Sequence, residues 1–450
     1  MLFNTSNSQQ KLVFIAIPLF LLFLLLGQLY IPRTQFVQLV CWQVVLYSLF
    51  AILYILKQHF TIMQILGIAL IARVVVACTL PTLSDDVYRF IWDGQLIAHG
   101  QNPLLTTPDV KLLQLQQSAN VAYYTKLHNL INHPQFYTCY PPLMQSIFWV
   151  GSVVGGNSIV VSIVVIKLLV ALIDVVGIYY LYKILKLHNL NPKLIILYAL
   201  NPLVIVEGAG NAHFEVVQVA LMCMAIYYLH CSKTIVGGML WGLAIVTKLL
   251  PLMLLPMFIK YIGFKRAVVF GTTAVVFAVL TCMPFVSANS IAGFTKSLNL
   301  YFQNFEFNAS IYYIARAIGW QVKGYNYISY IGPLLMKIFL MLYAILFFVT
   351  KPKSLQTFAN SCLVAFTLYY FLATTVHPWY IINLLPFAII ANIRFAVVWL
   401  GAAFLSYFAY SQIPFAENLW LIGVEYSIVM VAIWYSYFYK NKSDFSKSIL

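Results

Sequence analysis

The run KLVFIAIPLFLLFLLLGQLYI at 11–31 carries a single charge, at its first position. In hydrocarbon every backbone polar group has to be satisfied within the chain, and about 20 apolar residues in a helix cross the core of a bilayer. Runs of the same kind recur at 35–56, 60–80, 158–182, 190–206, 209–230, 234–247, 249–260, 266–286, 330–350, 356–375, 378–393, 395–411 and 419–438. Several are short for a crossing. The pattern predicts an all-α polytopic membrane protein with about 11–14 transmembrane helices. Charge agrees: only 8% of residues are charged, against about 25% in a soluble domain.

No long charged, Gly/Ser-rich or repeated segment interrupts the apolar runs, so residues 1–450 read as one integral domain whose loops carry what is polar. The first run is too long for a secretory h-region and ends in IPRT, with no small-residue cleavage site, so it reads as retained. A net charge of +15 in a soluble chain would suggest nucleic acid. Here the Lys and Arg residues stand singly or in pairs between apolar spans, as positive-inside topology requires, and no nucleic-acid partner is expected. The seven cysteines show no metal or redox spacing and read as small core residues.

Threading the spans with both termini cytoplasmic puts Lys57, Lys183, Lys186, Lys193, Lys260, Arg266, Lys351 and Arg394 inside, provided the apolar run 143–156 lies on or dips into the outer face. A large loop (81–142) and a second one (287–329) then lie outside, and the chain belongs in a cell membrane. Five polar features reach that same outer side. They are the acidic cluster near 85, EGAGNAHFE (207–215), TKLLP (247–251), the 287–329 loop and VHPWY (376–380).

The first loop holds SDDVYRFIWDG, three of the chain's eleven acids within nine positions. Ser84 reads as an N-cap, Asp85 and Asp86 as favourable first-turn acids, and Gly100 as the stop. Val87, Phe90, Ile91, Gly94 and Ile97 form one stripe, while Asp86, Arg89 and Asp93 share another face. The expectation is an amphipathic helix lying in the membrane interface, apolar side down. Capping alone accounts for Asp85 and Asp86 as well as chemistry does. Position favours chemistry, because a lipid-borne substrate presents its reactive head at the interface, where a carboxylate can take a proton from an attacking hydroxyl.

Glu207 and His213 sit at the edge of a span, where ionisable groups are functional candidates. Lys248 lies between apolar runs on the outer side, where a phosphate would explain a cation better than topology does, although a lysine snorkelling to the headgroups reads equally well. His377, beside Trp379 and Tyr380, can bind or protonate a phosphate or simply join an aromatic belt. Lys167 and Asp174 read as a structural intramembrane pair. No Walker-A loop, GxGxxG, HExxH or GxSxG is present, so the transferred group or energy does not come from a bound nucleotide.

Taken in order, SDDVYRFIWDGQLIAHGQNPL, YPPLMQSIF, EGAGNAHFE, GLAIVTKLLPLMLLP, FNASIYYI and HPWYIINLLP resemble bacterial integral-membrane glycosyltransferases of the GT-C class, with most similarity to polyprenyl-phosphate-mannose-dependent mannosyltransferases. The resemblance implies a GT-C-like bundle whose site opens outward and transfers a hexose, with inversion, from a polyprenyl-phosphate sugar to an envelope glycan or glycolipid. It implies an acid of the first loop as general base; the spacing leaves Asp85 and Asp86 both open, with Asp85 the first choice. Lys248 and His377 match positions that meet the donor phosphate, and Arg89, Asp93, Tyr140, Glu207, Asn211, His213, Asn308 and Tyr380 complete the substrate-binding set. Relatives often follow the histidine with asparagine and aspartate, where this chain has Phe214 and Glu215. No metal site is assigned: a divalent cation is compatible with the class, but Asp85 and Asp86 are the one compact pair of ligands. The rival readings are a transporter or flippase of lipid-linked sugars, expected to show inverted repeats and midplane charges, and a noncatalytic envelope-assembly protein.

Overall fold

In the computed structural model the described residues are 5–303 and 305–439, and among them the chain is helical throughout. Helices α1 (Thr5–Tyr30), α2 (Phe36–Ile55) and α3 (Ile62–Ala77) lead into α4 (Asp86–Ala98). The short α5 (Pro108–Gln114) and α6 (Val121–His128) precede α7 (Pro142–Gly155), the long α8 (Ile159–Leu187) and one turn, α9 (Ile196–Ala199). Next come α10 (Glu215–His230), α11 (Thr234–Ile245), α12 (Leu255–Ile262), α13 (Phe264–Cys282), α14 (Ala288–Gln303) and α15 (Ile311–Lys323). The chain closes with α16 (Ile328–Val349), α17 (Leu355–Leu372), α18 (Leu384–Ala391), α19 (Phe395–Ala402) and α20 (Leu419–Trp434).

Among the described residues seven helices are long and apolar enough to cross a membrane, and eight if the pair Pro192–Ala199 and Val204–Gly210, bent by 62°, is one broken span. This is an all-α polytopic membrane protein. The higher number expected from the sequence is reached only with the shorter apolar helices, such as Ile62–Ala77, Glu215–His230 and Phe395–Ser411. Helix α7 has 14 residues, about 21 Å at 1.5 Å per residue, and is too short for a core of roughly 30 Å. It packs instead against α4 and α8.

The acidic helix departs from expectation in two ways. It starts one residue later, with Asp85 at the N-cap position and making no side-chain cap, while Ser84 Oγ accepts the Asp86 N–H at 3.3 Å. It is also covered on both faces: Arg89 and Asp93 are buried along with Val87, Phe90, Ile91 and Leu96. A side chain at Gly94 would lie 2.2 Å from the Phe148 carbonyl, so α4 and α7 meet backbone to backbone. A helix so closely packed has protein, not lipid, along its apolar stripe. Its end follows the sequence: Gly100 takes φ +70° and Gln101 N–H reaches back to Leu96 O at 2.9 Å.

The buried intramembrane pair is also different. Lys167 and Asp174 stand two turns apart, about 10 Å along the axis, and each finds another partner. Asp174 accepts from Arg73 Nε at 2.5 Å and from the Tyr198 hydroxyl at 2.8 Å, while Lys167 donates to Thr79 O at 2.6 Å. Arg73 also donates to Ala199 O at 2.7 Å, which ties α3 and α8 to the broken span that leads into the 207–213 segment.

Candidate active site

The two neighbouring acids at the start of α4 have different surroundings. Asp85 Oδ2 is engaged by the Arg33 guanidinium and by Asn132 Nδ2 at 3.1 Å. Asp86 receives no hydrogen bond from any described residue; its Oδ2 faces His213 Nε2 across 3.9 Å, and its side chain is 36% exposed. One acid is thus tied down and the other is open to a ligand.

The turn that brings His213 there passes so close to its neighbours that its two glycines have no room for a side chain: a Cβ would lie 2.6 Å from Val216 at Gly208 and 2.9 Å from Gln28 at Gly210. Residues Val204–Gly210 wind as a π-helix, and Ala212 takes φ +60°, which is unusual for a residue with a side chain. Hydrogen bonds of Asn211, two of them to a distant part of the chain, hold the turn. Asn211 Oδ1 accepts the N–H groups of Thr82 and Leu83 at 3.2 and 3.0 Å, and its Nδ2 donates to Val206 O at 2.9 Å. Asn211 therefore locks the approach to Asp85 and Asp86 against this turn.

His213 is almost wholly buried, with Nδ1 2.8 Å from Glu207 Oε2. The other Glu207 oxygen accepts the Tyr407 hydroxyl. A carboxylate can only accept, so Nδ1 carries the hydrogen and Nε2, which has no partner, is the nitrogen presented to Asp86. The imidazole stacks on Trp379 at 3.8 Å, and Trp379 also stacks on His377 at 4.4 Å. His377 in turn lies over Phe307 at 4.7 Å.

Lys248 pairs with the buried Glu215 and sits 4.8 Å above the Tyr380 ring, which meets His377 edge-on at 5.1 Å. Glu215, in the departure from the relatives' pattern, is the anchor of Lys248. Burial, with His213 and Lys248 close by, pushes the His377 imidazole down to about 3. It is neutral near pH 7, so it can offer a hydrogen bond but no charge, and the cation beside it is Lys248. Asn308 braces this wall: Nδ2 donates to Val376 O at 3.3 Å and to Glu425 at 3.2 Å, and its N–H reaches Glu417 at 2.6 Å.

Of the residues singled out from the sequence, Asp85, Asp86, Glu207, Asn211, His213, Lys248, Asn308, His377 and Tyr380 are linked through these contacts. Arg89, Asp93 and Tyr140 belong elsewhere. Asp93 accepts from Arg89 at 2.9 Å and Gln145 at 3.0 Å, Arg89 donates to Phe136 O at 2.9 Å, and Tyr140 packs edge-on against Phe90. They tie the 136–145 segment to α4. Sequence reasoning passed over Arg33, Asn132 and Tyr407, and named Glu215 and Trp379 without assigning them to the site. Arg33, a cation on the outer side of the threading like Lys248, was the one with a readable signal. Among the described residues no three His, Cys, Asp or Glu side chains converge on a point that could hold a metal ion.

The fold is that of a polytopic membrane protein in which rare polar side chains from distant parts of the chain are gathered together. Residues 24–263, more than half of the chain, match the family described as alpha-(1->6)-mannopyranosyltransferase, N-terminal domain (MptA_B family), and the chain belongs to that family. No curated protein and no solved structure matches it.

Proposed function

We propose that the protein transfers mannose from a polyprenyl-phosphate donor to a hydroxyl of an envelope glycan or glycolipid at the non-cytoplasmic face, with Asp86 as general base. The observation that carries this reading is the Asp86 carboxylate, partly exposed, free of hydrogen bonds from the described residues and turned to the orphaned His213 Nε2, in a cluster whose other arm holds Lys248 and His377.

In the reaction the acceptor oxygen attacks the anomeric carbon as its proton passes to Asp86. The new C–O bond forms while the bond to the phosphate oxygen breaks, and polyprenyl phosphate departs. Charge grows on the leaving phosphate, where Lys248 and the His377 ring stabilise it. His213, oriented by Glu207, turns its Nε2 lone pair to Asp86 and accepts a hydrogen bond from that carboxyl once it has taken the proton. Trp379 holds both imidazoles in place and excludes water from between them. Direct displacement inverts the anomeric centre, so the α-linkage in the family's description calls for a β-linked donor.

The test is incubation of the purified protein in nanodiscs with radiolabelled β-linked polyprenyl-phosphate mannose and membrane glycolipid extract, with the product identified by mass spectrometry. The expected result is a mannosylated glycolipid that disappears in Asp86→Asn. Transfer only from a nucleotide sugar overturns the donor assignment, and full transfer by Asp86→Asn overturns the base.

A further inference from the structure

Helix α2 carries no charged residue, and neither does the stretch Phe395–Ser411 beside it. The two pack together at the turns Ala403–Ser411 and leave between them a crevice of about 550 Å³. Val44, Tyr47 and Ala51 form one wall, and Val398, Gly401 and Leu405 the other. Val44 and Val398 are exposed, as on a face that a bilayer covers. From Val40 to Tyr54 the crevice follows about 21 Å of α2 at 1.5 Å per residue, more than one leaflet of a core of roughly 30 Å.

Its end remote from Arg33 and the site is cationic. Arg394 lines it there, and Lys57 Nζ and Arg394 Cζ both lie by the Tyr54 ring, at 4.1 and 5.7 Å from its centre. Lys193 Nζ joins them by donating to Gln58 O at 2.7 Å. None of the ion pairs among the described residues includes any of these three cations. Topology explains cations on that side, but not two of them on one ring at the mouth of an apolar crevice. The walls also back onto the site: Tyr47 donates to Asn201 Oδ1 at 3.2 Å, and Phe404 stacks at 5.6 Å on Tyr407, whose hydroxyl holds Glu207.

The geometry points to a bound anionic phospholipid, drawn from the leaflet opposite the site, with its phosphate between Arg394 and Lys57 and one acyl chain in the crevice. This site is separate from the reacting groups and does not depend on the donor. At roughly 30 Å³ per small group, the share of a liquid molecule of that size, the volume takes about 18 groups, which is one acyl chain. A partner helix, about 10 Å across, needs about three times that volume over the same length. Free phosphate matches the cations and leaves the walls bare, and a zwitterionic headgroup brings a further cation to three that lack a counter-ion.

The full chain, purified in detergent, is titrated with dioleoyl phosphatidylglycerol and separately with dioleoyl phosphatidylcholine, with bound lipid counted by native mass spectrometry and thermal unfolding followed in parallel. Phosphatidylglycerol should bind at least about fivefold more tightly than phosphatidylcholine and raise the melting temperature, and inorganic phosphate should leave that temperature unchanged. Arg394→Gln and Lys57→Gln should each raise its Kd about fivefold, the weight of one cation beside an anionic headgroup. Val398→Trp fills the crevice from its bilayer side without altering a charge and should raise the same Kd at least fivefold. Equal binding of the two lipids, or wild-type affinity in the two glutamine variants or in Val398→Trp, overturns the site. A dimer that persists in phosphatidylglycerol and is dispersed by Val398→Trp overturns it in favour of a second copy of the chain. Should Val398→Trp fail to fold, photolysis of a phosphatidylglycerol with a mid-chain diazirine on the unaltered protein decides. Crosslinks in 40–54 and 394–405 support the crevice, and crosslinks confined to other helices overturn it.

Discussion

Asp85 and Asp86 are adjacent and equally acidic as side chains, so replacing each by asparagine isolates what their surroundings contribute. In Asp85→Asn the lost ion pair is partly exposed, at 24% for Arg33 and 37% for Asp85, and pairs of that kind contribute about 0–1 kcal/mol. Asparagine keeps an oxygen for Arg33 and Asn132, so the turnover should fall no more than about fivefold. In Asp86→Asn nothing of the fold is lost, because no described residue donates to that carboxylate. Removal of a general base typically costs about 10²–10⁴ in rate, or roughly 3–5 kcal/mol at about 1.4 kcal/mol per decade. Single-turnover transfer rates on both variants, with thermal unfolding to show that each is folded, measure the contrast. An Asp86→Asn enzyme keeping more than about a tenth of the rate, or an Asp85→Asn enzyme as slow as Asp86→Asn, refutes the division of roles argued from the geometry.

Glu207→Gln keeps the shape of the Tyr407 and His213 contacts but removes a charge-assisted hydrogen bond, a loss of about 1.5–3 kcal/mol; kcat should fall roughly ten- to a hundredfold with donor KM little changed, as steady-state kinetics would show. His377 takes up protons in the unfolded chain near pH 6.5 but in the native site only near 3. The unfolded state therefore binds more protons between those values, and stability present above about pH 6.5 is lost as pH falls, by up to about 1.4 kcal/mol per unit. His377→Phe should flatten part of the drop in melting temperature between pH 7 and 5, and an unchanged drop in the variant counts against the burial argument. In the interior, Arg73→Met leaves Asp174 without its cation and should destabilise by about 3–5 kcal/mol, whereas Arg73→Met with Asp174→Leu should recover much of that. Resistance to limited proteolysis in detergent reports both.

Apolar runs long enough to cross hydrocarbon, broken by isolated cations, already required a helical membrane protein, because few other folds satisfy a backbone without water. The same one-dimensional pattern exposed most of the site: acids, histidines and lysines are rare in such a chain, so each that falls at the edge of a span stands out. Asp86, Glu207, His213, Lys248 and His377 were legible for that reason. Pairing was not legible. Whether Asp85 meets Arg33, whether Asp174 meets Arg73 or Lys167, and whether Glu215 anchors Lys248 depend on which helices cross at which height. Contacts spanning 33 to 101 positions of sequence leave no local periodicity behind. The same holds for α4, whose amphipathic stripe fits a membrane surface and a protein groove equally well until α7 is seen to cover it. Composition and spacing determined the kind of protein and the residues able to do chemistry. Tertiary structure decided which of two adjacent acids is tied down and which is left without a hydrogen bond, because only packing in three dimensions brings a guanidinium to one and an unpartnered imidazole nitrogen to the other.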